Sequence, residues 1–193
     1  MPKTVRTFVA VESPESVRSR ALDLIERLRC TQAKVKWVSP DQMHWTLSFL
    51  GDVPLDETAS ICRAVERATA QLAAFTFEAR GAGAFPTAHR PRTVWVGGGS
   101  GNDHMVQLHD AVQIQLAELG FRAERRRFQP HLTLGRVRNS SLKDIAELGK
   151  LIDENDDFDC SSMRVSQVCV FSSRLEPAGP IYGVLGRAEL QGN

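Results

Sequence analysis

Two short stretches of this chain share one pattern, and that pattern limits the fold more than any other feature. Gln42-Met43-His44-Trp45-Thr46-Leu47 and Gln129-Pro130-His131-Leu132-Thr133-Leu134 both read His-x-Thr-Leu inside a strand-like run. Side chains alternate faces along a strand, so a histidine and the threonine two residues later point the same way. Two such strands present two imidazoles and two hydroxyls that can converge on one cleft. A single copy carries little information. A lone strand histidine is usually a core or surface residue, and a strand threonine usually reflects β-propensity. Two copies in matching context, with the histidines at 44 and 131, are far more specific.

The flanking sequence repeats as well. Before each motif the pattern reads strand, helix, strand, and after each it reads turn, helix, strand. Strands are expected over 4–11, 34–38, 43–50, 75–83, 93–96, 121–127, 131–137, 164–172 and 181–190. Apolar residues spaced by three and four predict helices over 14–28, 56–72 and 102–119, with a fourth from Ser140 or Ser141 through 151. Ser13 is the expected N-cap of the first helix with Pro14 at its first position, Gly51-Asp52 the end of the first motif strand, and Gly120 the residue just past the third helix. The expected fold class is α+β. A duplicated unit forms two mostly antiparallel sheets facing each other across a central cleft, with helices on the outside. Its 193 residues suit one domain, 1–193, of two pseudo-symmetric lobes.

Composition narrows the partners. Apolar residues make up 42% of the chain, enough for a sizeable core without metal or disulfides, and the formal net charge of +1 gives no bulk field for gripping a long duplex. A nucleic-acid site must therefore come from a local patch. Arg122, Arg125, Arg126 and Arg127, just ahead of His131, form one candidate for a short RNA end. Cys30, Cys62, Cys160 and Cys169 are too scattered for a zinc or dithiol motif. With no leader-like start and no membrane-length apolar run, a cytoplasmic location is the default. The Gly97–Gly101 run lacks the order of a phosphate loop and reads as a flexible connection. His89, His104 and His109 are assigned ordinary structural roles, and Phe8, Trp45, Phe49, Phe85 and Trp95 read first as core. The acidic run 153–159 reads as a solvated connection.

The paired motifs have a definite chemical use. An imidazole titrates near ~6.5, so one ring can act as base and the other as acid on opposite sides of a phosphorus. The threonine hydroxyls can donate to the non-bridging oxygens, and an arginine fork can grip the same oxygens. Arg136 is a candidate for that fork. At an odd offset from His131 it falls on the wrong face of an ideal strand, so it must come in past the strand end or through a bend.

These residues resemble the two-histidine phosphoesterase superfamily, in particular its LigT-like branch, the RNA 2′,3′-cyclic phosphodiesterases also called 2′-5′ RNA ligases. The likeness runs nearly end to end. It includes Arg6-Thr7-Phe8-Val9-Ala10-Val11, Lys36-Trp37-Val38, the run from His44 to Val53, Phe85-Pro86, the run from Pro91 to Gly97, the run from Arg127 to Val137, Phe171-Ser172-Ser173-Arg174-Leu175, and Gly179-Pro180-Ile181-Tyr182. The resemblance implies a bilobal fold and opening of a terminal 2′,3′-cyclic phosphate to a 2′-phosphate, with no metal and no cofactor. It also implies His131 as the proton acceptor that activates water and His44 as the proton donor to the leaving 3′ oxygen. Thr46 and Thr133 would hold the phosphate, supported by Arg136. Gln129 and Gly135 flank the second motif and bear on auxiliary contacts only. RNA ends or cyclic nucleotides are the expected partners and a monomer the expected state. Reversible 2′-5′ ligation at the same site, and RNA-end binding without catalysis, stand as alternatives.

Overall fold

The computed structural model describes residues 3–122, 126–177 and 179–192. Among these, four helices pack outside a curled antiparallel sheet of nine strands. In chain order the elements are β1 (Thr4–Glu12), α1 (Glu15–Leu28), β2 (Val35–Trp37), β3 (His44–Pro54), α2 (Thr58–Thr69), β4 (Phe75–Phe85), β5 (Thr93–Gly98), α3 (Asn102–Ala117), β6 (Leu132–Val137), α4 (Leu142–Asp153), β7 (Asp159–Val165), β8 (Gln167–Glu176) and β9 (Gly179–Glu189). The class is α+β, as the pattern of elements implied.

The strand order is β7-β4-β5-β6-β3-β1-β8-β9, with β2 alongside β6. The two motif strands, β3 and β6, are the central neighbours, and their register rests on one pair, Trp45 opposite Leu132. The sheets expected from the sequence are thus the two halves of one hydrogen-bonded network, joined at a narrow seam.

Apolar side chains decide which face is which. On β1, Val9 and Val11 belong to the main core beneath the helices. Phe8 and Ala10 point the other way, into a smaller cluster with Cys169, Phe171 and Tyr182. α1 adds Val17, Ala21, Leu24, Ile25 and Leu28, a stripe at helical spacing. Trp45 and Leu132 lie fully inside the main core, with Trp45 edge-on to Phe77 at 4.8 Å. At the seam, the neighbours of Trp45 and Leu132 therefore face the opposite side of the sheet, away from the helices.

Some local expectations are corrected. Ser13 does not cap α1. Pro14 holds the N-cap position, and the Ser13 hydroxyl is buried with no hydrogen-bond partner among the described residues. Gly51 does not end the first motif strand. Its φ of +74° lets β3 absorb an extra residue and run on to Pro54. No strand is seen at residues 121, 122, 126 and 127, while Ala123, Glu124 and Arg125 lie outside the described residues. The expected strand over 164–172 is two strands that separate at Ser166. β7 pairs with β4 at one end of the sheet, and β8 pairs with β1 towards the other. Two adjacent polar residues, Ser166 and Gln167, break the alternation between Val165 and Val168 at the point where the partner changes. Ser141 caps α4 as expected, accepting from the Asp144 N–H at 3.1 Å. Gly120 has φ +88° just beyond α3.

Candidate active site

Antiparallel strands count in opposite directions, so the Trp45–Leu132 pair fixes its flanks. His44 falls beside Thr133, and Thr46 beside His131. With Trp45 and Leu132 pointing into the core, all four motif side chains share the other face. Each motif's histidine is matched with the other's threonine.

The two imidazoles are held alike. His44 Nδ1 lies 2.7 Å from the Gln42 carbonyl, and His131 Nδ1 lies 2.8 Å from the Gln129 carbonyl. A carbonyl oxygen only accepts, so Nδ1 carries the proton in both rings, and in a neutral ring the lone pair is on Nε2. Nε2 is thus the nitrogen presented for acid or base work.

Both motifs also bulge at the same place. In the β1–β3 register Thr46 pairs with Ala10 and Ser48 with Val9, so Leu47 is passed over. In the β5–β6 register Thr133 pairs with Trp95 and Gly135 with Val94, so Leu134 is passed over. An extra residue resets the alternation of faces. This is the bend that Arg136 required: with Leu134 discounted, Arg136 returns to the face of His131 and Thr133. Phe49 returns in the same way to the face of His44 and Thr46.

A cleft of about 420 Å³ opens on this face, lined by His44, Thr46, Thr133 and Arg136 among others. His131 is not part of its wall. It sits at the seam, edge-on to Phe85 at 4.9 Å, and its charge is felt by His44. The pKa of His44 is lowered, chiefly by burial. The Gln42 hydrogen bond opposes the shift and the charge of His131 adds to it. The ring packs against Phe8 at 4.8 Å and edge-on to Tyr182 at 5.3 Å.

Several residues in the cleft wall were given no site role from the sequence. Arg6 from β1, Lys36 from β2 and Arg138 just past β6 join Arg136, and among the described residues no carboxylate lines the cleft. Tyr182 of β9 and Gln42 complete one side, and the Gln42 side chain donates to the Pro180 carbonyl at 2.8 Å. Arg6, Lys36 and Tyr182 stand in runs that carry the family resemblance and Gln42 in the first motif stretch, but nothing local assigned them to a cleft wall. Phe49, expected in the core, is 60% exposed and lines the cleft. By contrast, Arg122, Arg126 and Arg127 are exposed and do not line it, and Arg125 lies outside the described residues. The Gly97–Gly101 loop binds a carboxylate of its own chain: the Ser100 N–H donates to Glu78 Oε2 at 3.0 Å. Among the described residues, no three His, Cys, Asp or Glu side chains gather into a set that could hold a metal ion. No helix among them is long and apolar enough to cross a membrane.

A family model described as LigT like Phosphoesterase matches residues 11–95 and 99–182. A curated RNA 2′,3′-cyclic phosphodiesterase of Methanothermobacter thermautotrophicus is 36% identical over 178 residues, covering 92% of this chain and 95% of its own. One of the same name from Thermotoga maritima is 34% identical over 188 residues, covering 97% of each chain. Among solved structures, a Thermus thermophilus protein superposes with a TM-score of 0.80 at 26% identity, covering 97% of this chain and 99% of its own. Escherichia coli LigT complexed with 3′-AMP superposes with a TM-score of 0.75 at 23% identity over 97% of this chain and 98% of that one, a likeness of fold.

Proposed function

Because the chain belongs to the LigT-like phosphoesterase family, we propose that it hydrolyses RNA terminal 2′,3′-cyclic phosphates to 2′-phosphomonoesters. Relatives named RNA 2′,3′-cyclic phosphodiesterase match it over nearly their full length, which supports the reading. The observation that carries it at the level of residues is the reciprocal register, with each motif's histidine beside the other motif's threonine on one cleft face.

His131 Nε2 takes a proton from water, and the water oxygen attacks phosphorus in line with the bond to O3′. As that bond breaks, His44 Nε2 gives its proton to O3′, leaving the phosphate on O2′. Thr46 and Thr133 donate to the non-bridging oxygens, and Arg136 offers its fork to the same charge. Burial disfavours a charged His44 in the free protein. An arriving phosphodiester anion favours it, so substrate binding draws in the proton that His44 then donates.

The cations Arg6, Lys36 and Arg138 suit a nucleotide backbone behind the cyclic end. Phe49 offers a face for a base. One chain supplies the whole set, so a monomer of two lobes suffices. The four free thiols suit a reducing compartment such as the cytoplasm.

The test is incubation of a 2′,3′-cyclic-ended oligonucleotide, with and without a 5′-hydroxyl fragment, in EDTA, with products read by phosphorus NMR. A 2′-phosphate lost in His44→Ala and in His131→Ala is the expected result. A 3′-phosphate would reverse the acid and base assignments, and a joined 2′-5′ product would make ligation the activity. Binding with no product would leave an RNA-end-binding protein.

A further inference from the structure

Leu47 and Leu134 hold equivalent places, each the extra residue of a bulge directly after a motif threonine. A bulged residue drops out of the ladder, so its carbonyl needs another donor. For Leu134 that donor is main chain, the Val38 N–H at 2.8 Å. For Leu47 it is a side chain: His109 of α3 reaches the Leu47 carbonyl through Nδ1 at 2.9 Å. The acceptor is a carbonyl, so His109 carries its proton on Nδ1. One helical turn further along, Gln113 Nε2 donates to the Ser48 hydroxyl at 3.2 Å, and both side chains are buried.

His109 has a second contact. Its ring lies flat on Phe128, with centroids 3.9 Å apart and planes 2° from parallel. Phe128 directly precedes Gln129, whose carbonyl holds His131. One imidazole therefore touches both the strand that carries His44 and Thr46 and the segment that delivers His131, close to a seam whose register rests on a single residue pair.

We propose that His109 is a positioning residue for the phosphodiesterase site: its hydrogen bond to Leu47 fixes the bulge that aims the first motif, and its stack on Phe128 ties that bulge to the second. It acts through the two motifs and does not line the cleft. The kinetic part of this proposal rests on the cyclic phosphodiesterase reading.

Three variants separate this role from simple packing. His109→Phe keeps a ring for Phe128 and removes the donor. His109→Asn keeps an N–H where Nδ1 stood and removes the ring. His109→Ala removes both. With a cyclic-ended oligonucleotide, His109→Phe is expected to lose about 10- to 100-fold in kcat, with KM within about twofold, because sub-ångström misplacement acts on the transition state. His109→Asn is expected to recover most of that loss. Recovery by Phe instead of Asn, or an unchanged kcat in both, would overturn the proposal.

Amide hydrogen exchange of the free protein needs no substrate. His109→Ala is expected to speed exchange in both 44–50 and 128–134, and no change in either segment would overturn the proposal. If the unaltered protein fails to open cyclic-ended RNA, the functional reading falls, and the exchange result alone decides whether His109 couples the motifs.

Discussion

His44 and His131 make the same hydrogen bond to the carbonyl two residues upstream, yet the halves around them are built differently. The His44 half is closed in by Phe8, Phe171 and Tyr182, and its bulge is held by side chains from α3. The His131 half is more open, and its bulge is held by the backbone next to β2. Five residues beyond each histidine, after each bulge, the first half places Phe49 and the second Arg136. The pattern His-x-Thr-Leu specifies only what the chemistry needs locally. What surrounds each copy is free to differ, and here most of the aromatic rings of the cleft come from the first half and most of its cations from the second, with Arg6 of β1 and Trp37 of β2 crossing that division.

The largest expected effect tests what the halves share. His44→Ala and His131→Ala should each lower kcat by about 10²–10⁴. The double variant should fall far short of the product of the two losses, because the acid and base act in one step. Additive losses in single-turnover rates would separate the halves into independent units.

The next effect tests where they differ. Arg136→Ala should lose about 1.5–3 kcal/mol of transition-state stabilisation, the range for hydrogen bonds to charged groups, on mononucleotide and oligonucleotide alike. Phe49→Ala should lose about 1 kcal/mol, the low end for a stacked base, given its exposure. That smaller loss should fall on KM. Equal kinetic profiles for the two variants would remove the distinction between the halves.

Gly135 and Ser48 occupy matching positions after their bulges. A side chain at 135 would meet Val35 Cγ1 at 2.7 Å and the Trp37 ring at 2.8 Å, whereas the Ser48 hydroxyl is taken up by Gln113. Gly135→Ser should therefore destabilise by about 1–3 kcal/mol in urea unfolding. The constraint on Gly135 is packing against β2 rather than a substrate contact.

The smallest effect is in pH dependence. The folded pKa of His44 lies below that of the unfolded chain, chiefly because the ring is buried. Between those values the unfolded state binds more protons, so this contribution is full above about pH 6.5 and is lost as pH falls from the unfolded value through the folded one. The Tm of the unaltered protein should drop more steeply than that of His44→Gln between pH 7.5 and 5.

Sequence alone determined the class of the fold, most of the elements, and the four motif side chains. Those signals are local: alternation places a histidine and the threonine two residues on together, and helical spacing marks a buried stripe. The bulge at Leu134 carried no periodic signal, and the neighbouring Gly135 did not by itself locate it, so the face of Arg136 stayed open until the register with β5 was seen. Ser166 was likewise read as the middle of a strand: the polar pair Ser166-Gln167 does interrupt the alternation, but an interruption of one step does not say that the next strand pairs elsewhere in the sheet. The cationic wall of Arg6, Lys36 and Arg138, the exposure of Phe49 and the reach of His109 to Leu47 were decided by tertiary structure. They join residues far apart in the chain, and the pairing of strands that brings them together is fixed by burial of the whole sheet.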